Sequence, residues 1–319
     1  MKEHHPEFYN EITGKIGKPR LVEMTDDSVE RFDFLRKKYA MYTEDTFLGA
    51  ILPVMVPGSY RIPIAKRKAD DMVQIESQAA GRKYIARSFE EDGGMIGINE
   101  RLDIDFLPTK LPPDILRRLR KHNGNKDPKP NRIYSLDPER IPLPSGVCMH
   151  EDMRAILSLQ EDAYHPFFII EGKSNGGDVE EANMQALRGG TCMVYALRLF
   201  LDTIGAPSAP GLDTRTYAFS MTISPSIAQL WIHFAEVAED GSVSYYMDIL
   251  DAVPLIRMDQ IPRLQRKCEN IIRWGVTERK NELVEYHKLM NTWLIQRDSK
   301  SRERCALQTK EKEAATEAR

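Results

Sequence analysis

The chain has 319 residues, 41% hydrophobic and 29% charged, with a formal net charge of −3. That composition suits a soluble globular protein with one large core or two modest ones, and its bulk charge does not advertise a nucleic-acid binder. No stretch reaches the ~20 apolar residues of a membrane span, so no membrane partner is expected. Met1-Lys-Glu-His-His-Pro6 carries no apolar signal segment, which predicts an intracellular protein, nuclear or cytoplasmic. Cys148, Cys192, Cys268 and Cys305 are too far apart for paired metal ligands, and free thiols are expected.

Residues 1–25 mix charge, His and Pro without clear periodicity and read as a loosely ordered arm. Phe32, Leu35 and Tyr39, at i, i+3 and i+7 in a densely charged run, predict a helix over 27–42. Residues 47–56 are apolar and end at Pro57-Gly58, and 59–90 read as irregular or extended. Leu111-Pro-Pro-Asp114 is a helix start, continued by Ile115, Leu116 and Leu119, before Gly and Pro break the pattern from His122 to Pro130. The basic residues Lys110, Arg117, Arg118, Arg120, Lys121, Lys126, Lys129 and Arg132 outweigh Asp114 and Asp127 here. Such an excess can follow a phosphate backbone or form a solvated helix face. Three regions result: an N-terminal region over 1–125, a core over 126–275, and a C-terminal helix with a charged tail over 276–319.

The core opens with a predicted strand over 131–136, a turn through Pro142 and Pro144, and a helix over 150–159. A strand over Phe167–Gly172 follows, and its four-residue apolar run predicts a central position with both faces buried. After Asn175-Gly-Gly177, a long helix is expected over 178–203, where Gly189-Gly190 marks a close approach by backbone or ligand. Strands over 216–224, 229–237 and 243–250, with turns at Pro225 and Asp240-Gly241, predict an antiparallel meander. The fold class is therefore α/β or α+β with a mixed central sheet flanked by helices. Residues 258–296 read as helical, and 297–319 have little to bury and read as disordered or a frayed helix.

The strand over 167–172 ends by delivering Glu171 and Lys173 to one face. A carboxylate and an ammonium so paired are what a metal-dependent phosphodiesterase needs: one holds a cation, the other orients water and offsets phosphate charge. An acid two residues before a lysine also occurs at Asp127, Glu278 and Asp298, but only Glu171 follows a strand-forming apolar run. Solvated charges flanking a strand would look the same. On the next helix, Glu181, Gln185 and Arg188 can share one stripe.

The blocks Pro128-Lys-Pro-Asn131-Arg-Ile-Tyr134, Pro166-Phe-Phe-Ile-Ile-Glu171-Gly-Lys173-Ser174 and Glu181-Ala-Asn183-Met-Gln185 resemble the PD-(D/E)xK superfamily. More narrowly, they are similar to a restriction endonuclease-like domain found mainly in fungal proteins, over about residues 126–255. The resemblance implies a Mg²⁺- or Mn²⁺-dependent nuclease with nucleic acid, DNA or RNA, as partner. It implies Glu171, the Gly172 carbonyl and the residue at 131 as metal ligands, with Glu171, Lys173 and Gln185 as the catalytic set. Arg188 and the cluster Arg117, Arg118, Arg120 and Lys121 would bind substrate. The family's upstream acid is here Asn131, which brings no negative charge to a hard cation. Asp137 and Asp127 are the nearest replacements in sequence, and the alternative is a nuclease-fold binding or interaction module without catalysis.

Overall fold

The computed structural model describes residues 1–19, 24–56, 94–98, 129–137, 141, 164–175, 177–290, 292–293 and 295–296. Its helices are α1 (Pro6–Gly17), α2 (Asp26–Tyr39), α3 (Glu44–Met55), α4 (Val179–Thr203) and α5 (Ile261–Trp274). A π-helical turn over Gly275–Arg279 leads into a further helix over 280–290. The strands are β1 (Gly94–Ile98), β2 (Arg132–Leu136), β3 (Tyr164–Gly172), β4 (Gly211–Ile223), β5 (Ile227–Val237) and β6 (Val243–Pro254).

These strands form one sheet in the order β1-β2-β3-β4-β5-β6. Every neighbouring pair is antiparallel except β3 and β4, which run parallel from Phe168 opposite Phe219 to Gly172 opposite Ile223. A parallel pair needs a long crossover, and α4 supplies it. The predicted mixed sheet, central strand, long helix and meander are all present.

One face of the sheet packs on α4, where Ile133, Ile169, Ala218 and Ala235 meet Cys192, Met193, Val194 and Ala196. The other face carries Tyr134, Phe168, Ile170, Phe219 and Met221, and packs against α1, α3 and α5. With side chains of both parities buried, β3 gains nothing from polar alternation, which accounts for its unbroken apolar run. The close approach expected at Gly189-Gly190 is realised, since a Cβ on Gly190 would fall 2.1 Å from His233 Nδ1 on β5. Glycine lets α4 lie directly on the sheet.

The N-terminal arm is a correction. Residues 6–17 are helical, and Phe8, Ile12 and Ile16 at i, i+4 and i+8 are buried. Asn270 on α5 secures the end of α1 by donating Nδ2 to Ile16 O at 2.8 Å and Lys18 O at 3.0 Å. Burying three such side chains contributes about 1.5–3 kcal/mol each, enough to order a short helix that charge and proline obscure in the sequence. In the run 47–56, which alone names no element type, all but the C-cap Val56 belong to α3, which follows the N-cap Thr43. The predicted elements at 59–90, 111–119 and 150–159, most of the 122–130 break and the tail from 297 lie outside the described residues. Among the described residues no helix is long and apolar enough to cross a membrane.

Candidate active site

Period-two geometry decides what the end of β3 presents. Glu171 has the parity of Ile169 and faces the α4 side, while Gly172 faces α3. A Cβ on Gly172 would lie 2.5 Å from Leu48 Cδ1, so glycine here leaves room for the Leu48 side chain of α3 on the back of the strand. The chain then leaves the sheet under restraint: Lys173 N–H donates to Ile223 O at 2.8 Å, and Asn175 N–H donates to Ala40 O at 2.8 Å. The second bond ties the end of β3 to the link between α2 and α3. Thr43 caps α3 by accepting Thr46 N–H at 3.4 Å, and Glu44 and Asp45 occupy the first helical turn.

Glu171 is 2% exposed, and its Oε1 is buried without a hydrogen-bond partner. Burial pushes the carboxyl well above the usual carboxylate range; Lys173 pulls it back, Glu44 adds to the rise, the Asn131 backbone N–H stabilises the charged form, and Glu181 opposes it. Lys173 is itself buried, with Nζ 3.2 Å from Glu44 Oε1 and 3.4 Å from Glu181 Oε2. One lysine thus bridges the first turns of α3 and α4.

Beside this group lies an open cleft of about 610 Å³. Asn131 and Glu171 contribute from the strand ends, Thr43, Glu44 and Asp45 from α3, and Gln185 from α4, while Lys129 and Ser174 complete the lining. Glu171, Lys173, Gln185 and Asn131, far apart in sequence, therefore converge. Glu44 and Asp45 join them without any announcement in the sequence. Thr43-Glu-Asp-Thr46 before an apolar run signals a helix start, but nothing local says that this start faces Glu171.

Three expectations change. Arg188, expected to bind substrate, is only 4% exposed and does not line the cleft. Asp137 cannot replace the missing acid: β2 runs antiparallel to β3, so Leu136 pairs with Tyr164 at the far end while Arg132 pairs with Ile170 near the site. Asn131 has a task other than metal ligation, since its Oδ1 accepts the Gly172 N–H at 2.7 Å. Together with the Asn131 N–H on Glu171, this bond locks the two strand ends in register. Arg117, Arg118, Arg120, Lys121 and Asp127 lie outside the described residues.

The donor set can be tested against a divalent cation. Among the described residues no group of three or more His, Cys, Asp or Glu is arranged to hold a metal. Magnesium does not require one: it binds through one or two carboxylates and completes its shell with water and phosphate oxygens. The unpartnered Oε1 of Glu171 beside an open cleft fits that requirement, whereas Asn131, neutral and already bonded through Oδ1, does not.

A family model described as a domain of unknown function (DUF7924) matches residues 100–286, more than half of the chain. No curated protein matches it.

Proposed function

The chain belongs to the DUF7924 family, and we propose that it is a Mg²⁺- or Mn²⁺-dependent nuclease of the PD-(D/E)xK type that hydrolyses phosphodiester bonds at the Glu171 cleft. The observation that carries this reading is the buried, unpartnered Oε1 of Glu171, placed beside a wide cleft and two residues from a buried lysine. Leaving a buried polar atom unpaired costs about 1–3 kcal/mol, and more for a charge, and among the described residues Glu171 is the acid that combines such an atom with a place in the lining of this cleft. The placement of Asn131, Glu171 and Gln185 at one cleft, with Lys173 held against its lining residue Glu44, also supports it, because the resemblance implies those positions as the site.

A bound cation would polarise a phosphoryl oxygen and lower the pKa of an attacking water. Glu171 would hold it. The Lys173 ammonium, fixed by Glu44 and Glu181, offsets charge that develops on the phosphate. Gln185 can orient water or a phosphate oxygen through its amide, and the exposed Lys129 attracts the backbone of a DNA or RNA partner. Asn131 favours a second reading, a nuclease-fold binding module, because it removes a charge at the site and spends its carbonyl oxygen on Gly172.

Cleavage of single- and double-stranded DNA and RNA with Mn²⁺ separates the two. The nuclease reading expects weak wild-type cleavage, more in Asn131→Asp, and none once Glu171→Gln is added. Cleavage that survives Glu171→Gln refutes the site, and nucleic-acid binding without cleavage in both wild type and Asn131→Asp establishes the binding module.

A further inference from the structure

We infer that the second carboxylate of the cation site comes from the first turn of helix α3, as Glu44, in place of the acid missing from the strand at Asn131. This inference rests on the metal-dependent reading of the Glu171 cleft and names a ligand that the strand motif does not contain.

The packing of the Leu48 side chain on Gly172 carries it. Leu48 packs against Gly172, where any Cβ would overlap it. Glu44 lies four residues earlier, on the same helical face and one turn nearer the N-terminus, so the packing that seats Leu48 also directs Glu44 at the end of β3. The 3.2 Å contact between Glu44 Oε1 and Lys173 Nζ records that direction. The glycine between Glu171 and Lys173 is thus what admits the helix, and the helix brings the acid.

The neighbouring acids are less suitable. Asp45 also lines the cleft, but it acts electrostatically on the buried Arg132 guanidinium. Glu181 reaches Lys173 at 3.4 Å yet does not line the cleft. Glu44 alone combines three properties: it lines the cleft with Glu171, it is electrostatically coupled to Glu171, and its side chain is 37% exposed, within reach of a hydrated ion. Without a cation, the Lys173 ammonium serves as counter-charge for both Glu44 and Glu181. A cation that engages Glu44 leaves Lys173 with Glu181 and frees part of its hydrogen-bonding capacity for a phosphate.

Binding of Mn²⁺ alone, followed by calorimetry and by loss of the free-ion electron paramagnetic resonance signal, tests the assignment on the full chain. Glu44→Gln should weaken binding at least ~10-fold, a loss typical of disturbed metal sites. Glu181→Gln, which removes only a partly exposed ion pair, should change it less than about threefold. Glu171→Gln should abolish it. Adding Asn131→Asp to Glu44→Gln should recover affinity, because the acid is returned to the strand, and a purely structural role for Glu44 would give no such rescue. Circular dichroism melting on each variant shows whether it is folded, and Glu44→Asp, which keeps the charge but shortens the reach, serves if Glu44→Gln does not fold. Wild-type affinity in folded Glu44→Gln overturns the inference while leaving the Glu171 site standing. Binding that is absent from wild type, or unchanged in Glu171→Gln, overturns the metal-site reading itself.

Discussion

Asp213 on β4 and Glu171 on β3 are buried acids on adjacent strands, 3% and 2% exposed, but their surroundings differ completely. Asp213 accepts hydrogen bonds from Arg198, from the hydroxyls of Ser208 and Thr216, and from the Arg215 N–H. Burial alone would raise its carboxyl, but these bonds and the Arg198 charge more than offset that and hold it below the usual range. Glu171 has an oxygen with no partner and is pushed the other way. The same residue class in the same sheet is saturated where it supports the fold and left open where it faces a cleft. Satisfaction, rather than burial, separates the structural acid from the candidate catalytic one.

The comparison breaks first at Asp213. Asp213→Ala leaves Arg198 buried without its counter-charge and should cost about 3–5 kcal/mol in urea unfolding at pH 7. A loss below about 1 kcal/mol would show that the network is ornamental. Since the folded carboxyl is held below its ordinary value of 3.8, its contribution is present above pH 3.8 and disappears as pH falls through the folded value.

Glu171→Gln sharpens the contrast with the opposite sign. A carboxyl raised above its unfolded value of 4.5 disfavours the folded state as pH rises from 4.5. The variant should therefore match wild type near pH 4.5 and exceed it by a margin that grows as pH rises towards 8. Midpoints of urea unfolding at several pH values would show it, and a variant less stable than wild type at pH 8 would mean that Glu171 is structural after all. The smallest effect belongs to Glu44→Gln. Its contact with Lys173 is partly exposed, so thermal stability should stay within about 0.5 kcal/mol of wild type.

Much of the fold is legible in the sequence because the relevant signals are local. The apolar run of β3, the turns at Pro225 and Asp240-Gly241, and the N-cap Asp178 each act within a few residues. Glycine at 190 announces a close approach before its partner, His233, is known. Helix α1 escapes such reading because Phe8, Ile12 and Ile16 are sparse among charges and acquire meaning only against α5 and the sheet. The site divides in the same way. Glu171 and Lys173 follow from the strand and Gln185 from the helix, Asn131 enters through the resemblance alone, and Glu44 and Asp45 reach the cleft only through the packing of α3 on β3. Arg188 reads as a substrate-binding charge on the helix, and its burial depends on tertiary packing that no local signal reports.

The parallel seam between β3 and β4 also orders events in time. On one side β4, β5 and β6 follow one another through tight turns, so their pairing closes short loops. On the other, residues 99–131 and 137–163 separate strands that must pair, and such closures are slower. The meander is therefore the part of the sheet whose pairing costs least chain entropy. Glu171 pairs with Thr222, so its place in the sheet is complete only once β4, which follows it in the chain, has been made.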